Sequence, residues 1–186
     1  DDPAIDTMAR AFGLPVIINS PLIDGSLRSA ASSHDVKVIV YEAGEALRFD
    51  ETAIRGGVNG VLRVMQGIGM LSAPKPTSKR TLKEPVISRS SRWIRAPQSG
   101  IHRSIFPLGS LVKKGNVLGY IANPLGENES PVIANVGGII IGRSNIPLVT
   151  EGEALFHIAT FEAASDGAVA REIDRVEDAL DQLSEE

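Results

Sequence analysis

The sequence predicts a mixed α/β region followed by a small all-β domain, and two features of the chain carry this prediction. Helical and β-branched segments alternate in the first part, and two related segments punctuated by glycines fill much of the rest. Between them lies a basic stretch rich in Pro and Ser, which is typical of a linker. We therefore divide the chain into an α/β part (1–74), a linker (75–91), a β-barrel or sandwich domain (92–160) and an acidic C-terminal helix (161–186).

Local patterns in the α/β part predict two helices around one short strand. Residues 4–12 carry apolar side chains at helical spacing, and Gly13 is placed to end that helix. A β-branched strand is predicted at 16–18. Ser26 closes a turn and can cap a second helix over 27–33.

The strongest strand signal lies at residues 36–41, whose sequence VKVIVY is almost continuously apolar. Such a run predicts a strand that is covered on both faces, as in an α/β sheet. Asp50 then caps a long predicted helix over 51–71, and its apolar stripe consists of Ile54, Val58, Val61, Leu62 and Met65. Two strands make a poor sheet, so this part is expected to need more strands than the chain shows.

The second half of the chain contains an internal repeat. Segments 95–122 and 132–159 align with one gap, and Gly100 matches Gly138. The other matched positions are turn glycines and the apolar residues that follow them. Each segment predicts short strands broken by glycine turns. Two such halves on a pseudo-twofold axis would form a small closed β-domain with a hairpin at 123–131.

Composition narrows the class of function. The chain is 42% hydrophobic with a net charge of -4, so it can bury a core but lacks a basic excess for nucleic acid. The absence of cysteine excludes disulfides and thiolate metal sites, and it is typical of the cytoplasm. No apolar run approaches the ~20 residues of a membrane span. We expect no nucleic-acid or membrane partner; the amphipathic C-terminal segment leaves homo-oligomerisation open.

Two charged residues lie where reactive groups often gather. Glu42 directly follows the predicted strand VKVIVY, and strand ends border the ligand cleft in open α/β sheets. A carboxylate there could take a proton from an activated water. Arg28 lies in the first turn of the second predicted helix, where its guanidinium could bind a carboxylate through two hydrogen bonds. On local pattern alone, an ordinary turn acid and a solvated arginine are the simpler interpretations.

Histidines give no local metal site. His34, His102 and His157 form no pair at metal-binding spacing, and we interpret all three as structural residues with satisfied polar atoms. In the predicted strand around His157, alternation places its side chain on the face opposite Phe156 and Ile158. The sequence also has no nucleophile elbow, phosphate-binding loop or dinucleotide motif.

Four segments of the chain carry a resemblance to a known family: SLRSAA (26–31), VYEAGE (40–45), GIHRSIFPLGSLVKKGNVLGYI (100–121) and PLVTEGEALFHIA (147–159). Together they resemble the succinylglutamate desuccinylase/aspartoacylase family of zinc amidohydrolases. The resemblance extends to about Thr160. It implies the C-terminal part of a zinc-carboxypeptidase-like α/β domain, followed by the β-domain.

This resemblance also implies functional roles. Glu42 matches the general base that activates a zinc-bound water, and Arg28 matches the arginine that binds a carboxylate of the acylated amino acid. The family's zinc ligands (an H-x-x-E motif and a second histidine) and its Asn-Arg substrate pair have no match here. Zinc is therefore the implied cofactor, with ligands expected upstream of residue 1. The implied reaction splits an N-acyl amino acid into an acid, such as acetate or succinate, and the amino acid; this chain alone is expected to be inactive.

Two other classes of function stay open. The β-domain also resembles biotinyl and lipoyl domains, which carry their cofactor on a lysine at a hairpin tip. The corresponding segment here, NPLGENES (123–130), has no lysine. The remaining alternative is a non-catalytic structural or interaction fragment. An H-x-x-E motif and a later histidine encoded before Asp1 would decide for the hydrolase.

Overall fold

The structure, a computed structural model, describes residues 2–72 and 84–161. The chain divides into two compact units, of which the first ends at Val86 and the second begins at Ile87. The predicted C-terminal helix lies outside the described residues, apart from Phe161. Within the described ranges, no helix is both long enough and apolar enough to cross a membrane.

The first unit contains three helices, and each begins at a side chain that caps it. Asp2 accepts a hydrogen bond from the Ala4 amide at 2.8 Å, and Ser26 and Asp50 make the equivalent caps. Each cap satisfies an amide that has no partner within its helix. The helices are α1 (Pro3–Phe12), α2 (Leu27–Ser33) and α3 (Glu51–Gly67). All three predicted helices are confirmed, although α3 ends at Gly67 rather than at Leu71.

Packing between α1 and α3 uses an aromatic ring and a glycine. Phe12, the buried residue of α1, lies against Gly60, where an added Cβ would come within 2.3 Å of the Phe12 ring. Tyr41 completes an aromatic pair with Phe12 at a centroid distance of 5.2 Å. Arg63 of α3 donates two hydrogen bonds to the Phe12 carbonyl, at 3.1 and 2.6 Å. The helix therefore turns its small residues toward its neighbour.

The apolar stripe predicted along α3 is largely exposed among the described residues. Ile54, Val58, Val61 and Leu62 are 43%, 55%, 51% and 43% exposed. We call these four side chains the aliphatic face. The buried positions of α3 are instead Gly56 and Gly60. Hydrophobic periodicity identified the helix, but it could not identify which face packs against the other described residues.

Residues 36–41 do not form a strand, so the prediction of a buried strand there is wrong. Val36 and Val40 are 55% and 59% exposed, rather than covered on both faces. A strand needs the N–H and C=O groups of a neighbour, however strong its local propensity. In the described part of this unit, the available strand is β1 (Val16–Ile18), which pairs with β2 (Val86–Ser88).

The second unit is built from two four-stranded antiparallel sheets. Their orders are β3-β10-β8-β5 and β7-β6-β4-β9. The strands are β3 (Ser90–Arg95), β4 (Gly100–Ser104), β5 (Leu111–Val112), β6 (Val117–Ala122), β7 (Ser130–Ile133), β8 (Gly138–Arg143), β9 (Leu148–Val149) and β10 (Ala154–Thr160). β2 and the start of β3 fall within the range that composition assigned to the linker. The Ser88 hydroxyl helps to order this segment, since it lies 2.7 Å from the Ser90 carbonyl oxygen and 2.8 Å from that of Thr160 and can donate its one hydrogen to either.

The repeat is visible in the geometry of its glycines. Gly100 has φ 156° and Gly138 has φ 154°, a region that other residues rarely adopt. An added Cβ would lie 2.4 Å from the Ala122 carbonyl oxygen at Gly100, and 2.0 Å from the Ala159 oxygen at Gly138. Each glycine therefore lets the strand that begins there approach the last strand of its own half.

One hydrophobic core joins the two sheets. It includes side chains from the last strand of each half, and six of its members are 0% exposed: Leu118, Ile121, Ile140, Leu155, Phe156 and Ile158. Burial of such a side chain stabilises by roughly 1.5–3 kcal/mol. The second unit is thus a two-sheet β structure. Its more specific resemblance to biotinyl and lipoyl domains stays a prediction.

Candidate functional site

Glu42 lies at the start of an exposed loop, residues 42–49, between Tyr41 and the cap of α3. Leu47 and Phe49 of this loop are 96% and 99% exposed. Leu47 adopts a positive φ of 61°, and Arg48 donates its amide to the Glu45 carbonyl at 3.4 Å. The loop therefore holds a local turn and presents its side chains to solvent.

Both ends of this loop are attached to the first turn of α3. The Tyr41 hydroxyl donates to the Ala53 carbonyl at 2.7 Å, and the Ala53 amide donates to the Asp50 carboxylate at 3.0 Å. Tyr41 is held further by its ring contact with Phe12. Burial, followed by the nearby charge of Asp50, raises the pKa of Tyr41, so its hydroxyl stays protonated as the donor. Glu42 thus follows a residue whose position is fixed.

Arg28 projects from the first turn of α2 onto the segment before that helix. Its Nη1 donates to the Ser20 carbonyl at 3.3 Å, and its Nη2 donates to Ser20 Oγ at 3.1 Å and to the Pro21 carbonyl at 2.9 Å. These contacts use three of the five N–H donors of the guanidinium. The side chain is oriented by the protein, and it is not the freely solvated arginine of the simpler interpretation.

This geometry sets a condition for binding a carboxylate. A guanidinium grips a carboxylate with two neighbouring donors, either Nη1 with Nη2 or Nε with Nη2. Both arrangements need a hydrogen of Nη2, and both Nη2 hydrogens are directed at Ser20 and Pro21. A two-pronged grip by Arg28 therefore requires the release of one of these two bonds.

Neither a direct contact nor a metal cluster joins the predicted site residues. Within the described residues, no hydrogen bond or ion pair links Arg28 to Glu42, and no group of three or more His, Asp or Glu side chains could hold a metal ion. The residues present here do not fit a zinc centre by themselves, so we derive no step through zinc.

The histidines have different surroundings. His34 ends α2 at the surface, and His157 Nε2 lies 2.8 Å from Ser91 Oγ while its ring stacks on Trp93 at 4.3 Å. His102 is 7% exposed, and its Nε2 has no hydrogen-bond partner among the described residues. The prediction of satisfied polar atoms is therefore wrong for His102.

Burial determines which charge state of His102 is favoured. Its ring meets the edge of Phe156 at a centroid distance of 5.5 Å. Desolvation, and then the positive charge of Arg143, lower the pKa of His102 below its usual 6.5. The neutral form is favoured inside the second unit, which assigns this residue to packing.

Sequence reasoning missed two residues of the candidate site. Tyr41 was read as the end of a strand, although a tyrosine directly before a candidate base can anchor it. Ser20 and its neighbouring carbonyl were not considered as partners of Arg28. The contact of Arg28 with this segment could not be predicted from sequence pattern, because it depends on how the segment before α2 folds back.

The fold of this chain matches a group of solved structures. The chain matches a succinylglutamate desuccinylase/aspartoacylase from Rhodobacter sphaeroides with a TM-score of 0.71 and 21% identity, over 87% of this chain and 52% of that one. It matches the ectoine utilization protein EutE (DoeB) from Ruegeria pomeroyi with a TM-score of 0.73 and 19% identity, over 85% of this chain and 50% of that one.

A third match is an aspartoacylase family protein from Mesorhizobium loti, with a TM-score of 0.63 and 16% identity, over 86% of this chain and 54% of that one. No protein-family model and no curated protein matches the sequence. The chain thus has the fold of these structures and spans about half of their length. The likeness to these structures is one of fold.

Proposed function

We propose that this chain is the C-terminal part of an amidohydrolase of the succinylglutamate desuccinylase/aspartoacylase family, which removes an acetyl- or succinyl-type group from an N-acyl amino acid. The observation that carries the proposal is the fold match over 85–87% of the chain. The motifs around Arg28 and Glu42 support it independently, because they were identified from the sequence. Zinc, with ligands from polypeptide outside these residues, and a cytoplasmic location belong to the same proposal.

Within this function, Glu42 is the general base. Its carboxylate takes a proton from the water that attacks the amide carbonyl, and it passes that proton to the leaving amine. The anchored Tyr41 supports this role, since a proton acceptor must be held within hydrogen-bond reach of the reacting atoms. The C–N bond breaks, and the products are a carboxylic acid and a free amino acid.

Arg28 binds a carboxylate of the substrate in this proposal. Its contacts with Ser20 and Pro21 hold the guanidinium in place before the substrate arrives. One Nη2–H group then changes its hydrogen-bond acceptor, from Ser20 Oγ or the Pro21 carbonyl to the substrate carboxylate, and the proton stays on the guanidinium. This exchange sets binding strength rather than the proton-transfer step, so the two residues have separable roles.

The test is a set of variants in the full-length protein as its source produces it, assayed on N-acetyl- and N-succinyl-amino acids. Glu42→Gln should lower turnover by ~10²–10⁴ while binding and zinc content change little. In Arg28→Ala, part of the loss should appear as a raised Michaelis constant, because Arg28 holds the carboxylate in the ground state and the transition state alike. Glu45→Gln, in the same loop, is the matched control and should keep near-normal turnover. Normal turnover in Glu42→Gln with reduced turnover in Glu45→Gln would move the base to Glu45.

Carrier and structural functions require different residues and predict different effects of these variants. A carrier needs a lysine in the β6–β7 loop, and residues 123–129 contain none. A purely structural fragment would leave all three variants without effect on any amide hydrolysis. The same assay therefore distinguishes the hydrolase from both alternatives.

A further inference from the structure

One sheet of the second unit buries side chains on the face that points away from the core. In the sheet β3-β10-β8-β5, Ile140 and Ile158 belong to the core, so strand alternation places the neighbouring Ile139 and Ala159 on the outer face. Ile139 is nevertheless 2% exposed and Ala159 is 0% exposed, and neither belongs to the core cluster. Side chains on an outer face are buried this completely where further polypeptide packs over them.

The buried positions lie in one row across the sheet. Ala159 of β10 pairs with Ile139 of β8, and Ile139 pairs with Leu111 of β5, which is half-buried. We call these three residues the outer row. Trp93 of β3 lies on the same face, where it stacks on His157, but it is 46% exposed. The covered area is therefore centred on the outer row.

Two lysines border the outer row. Lys113 and Lys114 directly follow β5, and their backbone lies beside the residue that precedes β8: a Cβ added at Gly137 would be 3.7 Å from Lys113 Cα and 3.6 Å from the Lys114 amide nitrogen. Both lysines are exposed, and neither forms an ion pair with another described residue. The outer row thus combines an apolar surface with positive charge at one end.

The segment that follows β10 has the complementary chemistry. Residues 161–186 carry nine acidic and two basic side chains, whereas residues 87–160 carry four acidic and seven basic ones. The apolar residues of the segment recur at intervals of three and four, which predicts a helix with one apolar stripe: Val169, Ile173, Val176, Leu180 and Leu183. An acidic helix with such a stripe matches an apolar row bordered by lysines.

We propose that residues 161–186 fold back over the second unit, pack their apolar stripe on the outer row and direct acidic side chains toward Lys113 and Lys114. The connection is short, because β10 carries Ala159 and ends at Thr160. Residues 165–167, Ser-Asp-Gly, favour the turn that reverses the chain. A helix over 168–183 would span about 24 Å, and the four strands span about 15 Å. This docking is independent of the proposed catalytic function.

A second copy of the chain is the main competing occupant. It would have to assemble from solution, whereas the attached segment is present at a local concentration on the order of millimolar. Pairing of two such segments with each other is a further alternative. Residues 168–183 offer only about two heptads, fewer than a coiled coil usually needs. Both arguments favour docking within one chain.

A photo-crosslinker at position 111 identifies what covers the outer row. Leu111 is half-buried on the edge strand β5, so it tolerates replacement better than Ile139 or Ala159. The control position is Ile133, which is 49% exposed on β7, an edge strand of the other sheet. In the 186-residue chain, we expect position 111 to attach to a peptide from residues 161–186 and position 133 to attach to none of them. Mixing unlabelled chains with isotope-labelled chains distinguishes attachment within one chain from attachment between copies.

Charge reversal tests the two lysines. The chain contains no cysteine, so Ile173→Cys introduces a single thiol, and its maleimide labelling rate reports how often the segment leaves the sheet. Adding Lys114→Glu should raise that rate by about threefold, the effect of weakening one surface ion pair. Adding Arg103→Glu, which makes the same change of charge on the other sheet, should leave the rate unchanged.

The outcomes separate the occupants. Attachment of position 111 to residues 161–186 of the same chain, together with faster labelling in Lys114→Glu, would support the proposal. Attachment between copies, attachment only to other parts of the chain, or no attachment at position 111 would overturn the docking. Equal labelling rates with Lys114→Glu and with Arg103→Glu would overturn the role of the lysines.

Discussion

Gly138→Ala is the substitution whose effect the structure determines most directly. The new Cβ would lie 2.0 Å from the Ala159 carbonyl oxygen and 2.9 Å from the Ile158 Cγ2 atom. Both partners belong to β10, whose neighbouring side chains are fully buried, so the backbone cannot retreat without disturbing the core. The φ of 154° adds strain for any residue with a Cβ. Strain of about 1–3 kcal/mol and overpacking of about 1–3 kcal/mol sum to a loss of roughly 2–6 kcal/mol.

Urea denaturation followed by Trp93 fluorescence measures this loss, because the chain has one tryptophan and it stacks on His157 in the second unit. Gly137→Ala is the control: its added Cβ would meet atoms at 3.4–3.7 Å, in ordinary contact. We expect the control to stay within about 1 kcal/mol of the parent. Gly100→Ala should match Gly138→Ala, since the two glycines are equivalent in the repeat. Equal midpoints for Gly138→Ala and Gly137→Ala would refute the close approach.

Three further predictions follow from the sites described above. The second unit should lose stability as the pH falls below about 6.5, since the pKa of His102 is lowered in the fold and the unfolded chain takes up the proton first; a His102→Leu variant should flatten this profile in pH-dependent denaturation. Tyr41→Phe should cost the first unit about 0.5–1.5 kcal/mol in thermal unfolding through loss of the bond to Ala53; no change would mean that the ring alone holds the loop. Under the proposed function, Ser20→Ala should lower the Michaelis constant by about threefold at similar turnover, since it frees an Arg28 donor while the Pro21 carbonyl still holds the guanidinium; a raised constant would show that the Pro21 contact alone does not hold it in place.

Local chemistry made the helices of the first unit predictable. Asp2, Ser26 and Asp50 cap their helices through contacts that span only two or three residues, so the sequence contains all the information needed. The repeat was equally accessible, because each half needs a glycine where its strand approaches its own last strand. Both kinds of feature depend on neighbours that the chain itself provides.

Features that depend on neighbours distant in sequence were not predictable. The segment 36–41 has the composition of a buried strand, yet it is irregular, because pairing is decided by the strands beside it. The periodicity of α3 located its apolar stripe but carried no information on its exposure. Arg28 and Glu42 were identified through family motifs, whereas their partners, Ser20 and Tyr41, came only from the structure. Sequence pattern locates a candidate group better than it locates the contacts that orient it.

The exchange of strands between the halves of the second unit has a consequence for its origin. In each sheet, the two central strands come from one half of the repeat and the two edge strands come from the other. A single half, standing alone, would have two central strands without edges and two edge strands without a centre.

Such a half could complete both sheets only by pairing with an identical copy, so an unduplicated ancestor would have been an obligate symmetric dimer. Joining the copies in one chain makes that association intramolecular and independent of concentration. It also allows the halves to diverge, because a mutation then changes one half only, whereas in a symmetric dimer it changes both copies. The loop at 123–129 can therefore change without altering its counterpart in the other half of the repeat.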